Sequence, residues 1–410
     1  MSTTPSTPTS APARTSPHTR RWSLGLLAAV IVLFLLYWKI LPNASPDTQT
    51  FFRTWLSVSA VSEAVLWVIF ALGLNVVVGY AGLLDLGYVA FWAIGGYCAG
   101  WIMSPFFDGV SINVFGSPQA GLTGGIHVNF WLVLPLAGLF CALWGVIIGA
   151  PTLRLKSDYL ALVTLGFGEI IPQVFTNGEH FGPWNISNGD KGISPVDKIP
   201  TWPFSYLPGV PAELGGSATA LPFKFLVYAL LAAFMIFVSL RIREGRLGRA
   251  WLAIREDELA ASMMGVPLMR TKLTAYAVGA FAGGVGGVAF ATKVGGVFAS
   301  RFDFSISITL LAMVVLGGMG NVWGVTIGAL LLAWINSTGL AQFGNSFNSV
   351  AGTNIDFPSL QYLLFGLILV LMMLFRREGL IPEARTRQVL REPERGELES
   401  VGADLEGEPV

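Results

Sequence analysis

The sequence has little charge, almost no cysteine and few histidines. Only 12% of its 410 residues are Asp, Glu, Lys or Arg, against about 25% in an ordinary soluble domain. The charges that exist are clustered: 3 in residues 1–21, 11 in 241–272 and 15 in 376–410. The other 322 residues share 21 charges, too few to cover a water-facing surface of that size. This argues against a cytosolic enzyme. Net charge is zero, so no overall field attracts nucleic acid or an acidic partner. The two cysteines, Cys98 and Cys141, lie in apolar runs and read as small hydrophobes rather than a disulfide framework. His18, His127 and His180 have no metal-ligand spacing. No Gly-Lys pair occurs, so there is no Walker A loop, and neither H-E-x-x-H nor G-x-S-x-G is present. No catalytic residue, metal site or cofactor is therefore expected, and any use of ATP needs a nucleotide site on another chain.

The sequence is instead rich in apolar runs, with 53% hydrophobic residues and 48 glycines. Runs long enough to cross a bilayer fall at roughly 22–41, 55–78, 86–103, 129–152, 159–176, 223–240, 273–292, 305–319, 322–338 and 359–375. The expected fold is an all-α, polytopic transmembrane helix bundle of about ten spans. The 305–319 run is short and Gly-terminated, which suggests a broken or re-entrant segment. Residues 1–21 read as a disordered cytoplasmic tail, 22–376 as the transmembrane domain and 377–410 as an acidic cytoplasmic tail. The first apolar run is too long for a signal-peptide core and lacks a cleavage pattern, so it reads as a retained span. With the N-terminus inside, 153–158, 241–272 and the C-terminal tail are cytoplasmic, and 177–222 is the main external loop. The inside segments then hold 18 of the 25 Lys and Arg residues, which satisfies the positive-inside rule. Glycines spaced by four at 96/100, 145/149, 279/283/287 and 320/324/328 predict close helix packing. Asp158-Tyr159 with Val163-Thr164-Leu165 echoes Asp303-Phe304 with Ile308-Thr309-Leu310 at a constant offset of 145, the pattern an inverted repeat leaves.

Two sets of residues are candidates for function. The first is the long cytoplasmic loop. Leu252, Leu259, Met263 and Val266 form one helical stripe, and Arg255, Glu256, Asp257 and Glu258 interrupt it as a charged cluster. Gly265 followed by Pro267 is a helix stop. The expectation is one short amphipathic helix whose mixed charge suits a protein partner; its alternative is a helix lying in the lipid interface. The second set is polar residues in or beside apolar runs: Glu63, Asn75, Asp85, Thr164 and Glu169. A mid-span carboxylate costs about 3 kcal/mol. Glu169 is therefore a candidate for lining a polar path, or else for bonding a neighbouring helix. Asp85, within Gly82-Leu-Leu-Asp-Leu-Gly87, suits a turn or cap.

Residues 73–97, GLNVVVGYAGLLDLGYVAFWAIGGY, closely resemble the permeases of branched-chain amino-acid ABC importers, specifically the LivM-type subunit. Similar stretches follow at 153–170, LRLKSDYLALVTLGFGEI, at 248–261, GRAWLAIREDELAA, at 314–320, VVLGGMG, and at 375–382, FRREGLIP. Together they cover most of residues 60–382 in the family's order. The resemblance implies a subunit of a bacterial inner-membrane importer for branched-chain or related amino acids, with cytoplasmic termini. It implies a second homologous permease, two ABC ATPase subunits, an extracytoplasmic solute-binding protein and surrounding lipid as partners, and alternating access as the mechanism. It also casts 241–272 as the ATPase-coupling loop, with Gly248, Arg249, Trp251, Arg255, Glu256, Asp257, Glu258, Ala260, Ala261 and Gly265 as its candidate residues. ABC importers in general carry E-A-A-x3-G there; this chain has Ala260-Ala261-x3-Gly265, with its acid at Glu258, one residue early. Glu169, Thr164, Asn75 and Asp85 are the translocation-path candidates. A urea or short-amide permease of the same architecture and an ion-coupled secondary transporter, with Glu169 as proton site, are the alternatives. Asp85-Leu-Gly-Tyr88, where urea-type relatives tend to carry Ser and His, favours amino acids.

Overall fold

The computed structural model describes residues 25, 28–118, 124–155, 157–180, 182, 184–201, 214, 220–352, 354–376 and 379–381. The expected tail at 1–21, nearly all of that at 377–410, and 202–213 and 215–219 of the predicted external loop lie outside the described residues.

Long apolar runs without water to bond their backbone close their hydrogen bonds internally, as helices. In chain order these are α1 (Ala28–Asn43), α2 (Pro46–Trp55), α3 (Val58–Leu74), α4 (Val89–Ile102), α5 (Phe130–Thr152), α6 (Ser157–Thr176), α7 (Leu221–Glu244), α8 (Arg246–Glu256), α9 (Glu258–Met263), α10 (Leu268–Val294), α11 (Phe304–Gly317), α12 (Val322–Trp334), α13 (Leu340–Ala351) and α14 (Gln361–Phe375). Several start on a side-chain cap. Ser57, Asn129, Asp303 and Asn321 each accept an N–H from the first turn of the helix they precede. Eight helical stretches among the described residues are long and apolar enough to cross a membrane, against the ten expected. The other two apolar runs form shorter helices, α1 and α4. At 1.5 Å per residue α4 rises only about 21 Å, short of a ~30 Å hydrocarbon core. Non-helical chain, described below, leads into it.

Helix α10 lies at the centre, packed against α5, α4 and α3. Its glycines make this possible. A Cβ added at Gly279 would sit 2.5 Å from Val77, one at Gly284 2.7 Å from the Ala137 carbonyl, and one at Gly287 2.6 Å from the Trp92 carbonyl. Gly287, within the four-residue series, and Gly284, outside it, bring backbone against backbone, while Gly279 receives the Val77 side chain. The exposed faces of α5 (Leu132, Leu136, Leu139, Leu143, Ile147) and of α14 (Leu363, Leu367, Val370, Leu374) are wholly apolar.

The fold is not purely helical. A three-stranded sheet caps one end of the bundle: β1 (Met103–Ser104), β2 (Ser111–Val114) and β3 (Gly125–Val128), in the order β1-β3-β2. β3 runs antiparallel to β1 and parallel to β2. These strands are too short to show a periodicity. A buried pair ties the cap to the loop after α6: His127 Nδ1 lies 2.9 Å from both carboxylate oxygens of Asp197. Burial pushes the Asp197 carboxyl above its ordinary value, and the adjacent His127 pulls it the other way.

Candidate functional site

Two breaks in the helices meet inside the bundle. Helix α3 ends in a wide π turn, Asn75–Tyr80, and gives way to the non-helical segment 81–88 before α4 begins. The segment climbs back into the bundle: the Tyr88 hydroxyl bonds the Gly279 carbonyl at 2.9 Å, halfway along α10. Helix α4 therefore starts deep in the structure, which is why it is short. The second break is the turn 318–321 between α11 and α12, where Gly318 and Gly320 take φ of +113° and +88°. Only glycine adopts such conformations without strain. Asn75 joins the two breaks, its Oδ1 accepting the Gly320 N–H at 2.9 Å.

The segment is clamped by α6 and α11 and braced from within. The Leu86 N–H donates to Thr164 Oγ1 at 3.1 Å, the Val89 N–H to Ser307 Oγ at 3.2 Å, and the Gly87 N–H to Asp85 Oδ1 at 2.8 Å. A Cβ at Gly87 would lie 2.1 Å from the Thr164 carbonyl, so α6 presses directly on this backbone. Among the four path candidates, Asn75, Asp85 and Thr164 are buried and converge on this seam. Glu169 does not join them. Its neighbour Gly168 packs against Gly87, while Glu169 itself is exposed on the opposite side of α6, with Tyr159, Leu162, Ile170 and Gln173. An apolar neighbourhood in sequence implied burial within the chain, and the structure corrects that.

Beneath the seam lie α8 and α9. The single amphipathic helix expected is two helices, because Asp257 leaves the helical conformation (φ −154°, ψ 114°) and caps α9 by accepting the Ala260 N–H at 2.9 Å. The stripe Leu252, Leu259, Met263 and Val266 is not the packed face. Gly248, Trp251, Ile254 and Ala261 are buried, whereas Leu259, Met263 and Met264 are 67%, 79% and 85% exposed. Gly248 lets α8 turn tightly away from α7: a Cβ there would sit 2.3 Å from the Arg243 carbonyl. Arg249 braces the same joint by donating to the Glu244 carbonyl at 2.9 Å. Gly265, at φ +83°, ends α9. Glu256, Asp257, Glu258 and Ala260 are exposed.

Three contacts connect these helices to the bundle. The Trp251 ring stacks on Tyr80, centroids 6.4 Å apart, and its Nε1 donates to the Thr271 carbonyl at 2.9 Å. Arg255 donates to the Gly79 carbonyl within the π turn, and its side chain lies against Gly82. Lys272 pairs with Glu258. A continuous path of contacts thus runs from α8 through Gly79 and Tyr80 to Asn75 and Gly320. Sequence reasoning missed Tyr80, Gly79 and Gly320 as members of the site; the cluster Gly317-Gly318-Met319-Gly320 was the available signal.

A family profile described as the permease component of branched-chain amino acid transport systems matches residues 57–373. The chain is 36% identical over 350 residues to the high-affinity branched-chain amino acid transport system permease protein LivM of Salmonella typhimurium, covering 82% of this chain and 72% of that protein. It is 35% identical to its Escherichia coli counterpart, with the same coverage of each chain. A probable LivM of Methanocaldococcus jannaschii is 26% identical over 80% of this chain and 95% of its own length. No solved structure matches significantly. The chain belongs to the family of permease components of branched-chain amino acid transport systems, and is a multi-pass membrane transport component rather than an enzyme.

Proposed function

We propose that this chain forms half of the translocation path of an ATP-driven importer for branched-chain or related amino acids, with residues 22–376 as its membrane domain and both termini in the cytoplasm. The Lys and Arg bias supports an orientation with α8 and α9 on the cytoplasmic face and the strand cap outside. ATPase subunits dock on the exposed apolar surface of Leu259, Met263 and Met264 and the charged residues beside it. Their closure on ATP moves α8. Trp251 and Arg255 carry that displacement into the π turn at Gly79–Tyr80, and Asn75 carries it to the glycine turn at Gly320. A π turn and a glycine turn shift at lower cost than a regular helix, so the break between α3 and α4 serves as the hinge of alternating access.

The second permease packs on the exposed face of α6. Facing lipid at mid-span, Glu169 would cost about 3 kcal/mol, whereas the purely apolar faces of α5 and α14 suit lipid. Glu169 then lines the path between the two permeases. An extracytoplasmic binding protein delivers the amino acid to the outer end. The observation that carries this reading is the run of contacts from α8 to Gly320.

The test is an Arg255→Glu variant in the complete transporter, in proteoliposomes. Leucine uptake is expected to fall at least tenfold while the ATPases retain basal hydrolysis. Unchanged uptake would overturn the coupling assignment.

A further inference from the structure

A second polar constellation lies at the other end of the bundle, about 25 Å along α3 from Tyr80. There Lys293 on α10 pairs with Glu63 on α3, Nζ to Oε2 at 2.6 Å. Glu63 lines a cavity of about 260 Å³ among α3, α4, α10, α11, α14 and the turn that follows α12. Its wall includes Glu63, Arg301 and Asp303 with Trp67, Trp92 and Phe290. A larger cavity of about 600 Å³ among α1, α2, α3 and α7 has a mainly apolar wall and no carboxylate.

Three observations distinguish the smaller cavity. First, it offers both signs of charge at one mouth. Arg301 makes no ion pair among the described residues, and Lys293 engages only one of the two Glu63 oxygens. Second, three buried polar atoms without a protein partner belong to its lining residues: Trp92 Nε1, Ser305 Oγ and Asn336 Oδ1. Buried polar groups are almost always paired, so three orphans on one cavity mark a place that a polar molecule completes. Third, the deep wall is aromatic, with Trp92 against Phe70 at 4.0 Å and against Phe290 at 4.7 Å between centroids. The size is near the lower limit of small-ligand pockets, about 300 Å³.

We propose that this cavity is a subsite for a zwitterionic α-amino acid with an aliphatic side chain. Arg301 takes the carboxylate. Asp303 and the free oxygen of Glu63 take the ammonium group. The aliphatic side chain lies on the Trp67, Trp92 and Phe290 wall, with Trp92 Nε1 and Ser305 Oγ completing the polar contacts. The chemistry of the subsite stands without an orientation. Its place as the first station for an arriving substrate rests on the proposed function.

The test uses the complete transporter in nanodiscs, without binding protein, and leucine as probe, read by saturation-transfer NMR. Isoamylamine and 4-methylpentanoate, each keeping one charge of leucine, are the controls. Leucine is expected to bind, and each single-charge analogue at least tenfold more weakly. Arg301→Gln and Asp303→Asn are expected to abolish the leucine signal. The Asn in Asp303→Asn retains an acceptor for the first turn of α11, so that helix remains capped. Trp92→Phe, which removes the Nε1 donor and part of the indole surface while keeping an aromatic ring against Phe70, is expected to weaken binding several-fold. No leucine signal, equal binding of the analogues, or binding untouched by all three variants overturns the proposal. ATP-driven leucine uptake by the wild-type assembly is measured in parallel. Its absence would refute the importer reading, whatever the NMR result.

Discussion

Replacing Trp251 by Ala should release α8 from the bundle while leaving the bundle intact. Trp251 is fully buried, stacks on Tyr80 and donates to the Thr271 carbonyl. Truncating a buried Trp to Ala costs about 3–5 kcal/mol. Helix α8 has 11 residues and only Gly248, Trp251 and Ile254 are buried in it, so this side chain supplies most of its docking. The lower figure, ~3 kcal/mol, raises the population of undocked α8 by about 150-fold. Hydrogen exchange of the assembled transporter reads this directly: amides of α8 and α9 should lose protection by about two orders of magnitude, and those of α5 and α10 should not. Trp251→Phe keeps an aromatic ring against Tyr80 but loses the Nε1 hydrogen bond, worth about 1 kcal/mol, and part of the buried indole, so its exchange should rise by less than that of the Ala variant. Unchanged α8 protection in the Ala variant, or a loss spread equally over α10, would refute the idea that Trp251 anchors this element.

Other consequences follow from single contacts. Asn75→Ala leaves the Gly320 N–H buried without an acceptor, a cost of about 1–3 kcal/mol; uptake should fall and detergent thermostability should drop, whereas Thr50→Ala, exposed on α2, should leave uptake unchanged. Gly95→Ala would put a Cβ 2.6 Å from the Gly284 Cα, while Gly166 and Gly366 have nothing within 4 Å. The first should therefore impair expression and folding, and Ala at the other two should be tolerated, as judged by monodisperse yield. Glu169→Gln should leave assembly intact and change the rate of uptake. An unaltered rate would place Glu169 outside the path.

The bundle was legible in the sequence because hydrophobic length is a local property, and the polar helices α8 and α9 because charge clusters are local too. What escaped was the direction in which side chains face. Glu169 sits in an apolar run, but a run says nothing about whether its polar member turns toward its own chain or away from it. The stripe from Leu252 to Val266 assumed unbroken helix across Asp257, a residue that readily leaves helices to cap the next one. The shortness of α4 depends on Tyr88 reaching Gly279, and the Glu63–Lys293 pair joins residues 230 apart. No local pattern encodes contacts of that range. Two bracketing glycines, Gly82 and Gly87, were the trace that the break left in the sequence.

The central claim is that ATP hydrolysis outside this chain moves substrate through it. Proteoliposomes holding the complete transporter, with binding protein and labelled leucine outside and ATP inside, test it most directly. Uptake should require hydrolysable ATP and persist at fixed ATP when a proton uncoupler is added. Uptake that proceeds without ATP, or collapses with the uncoupler while ATP is constant, would contradict the account.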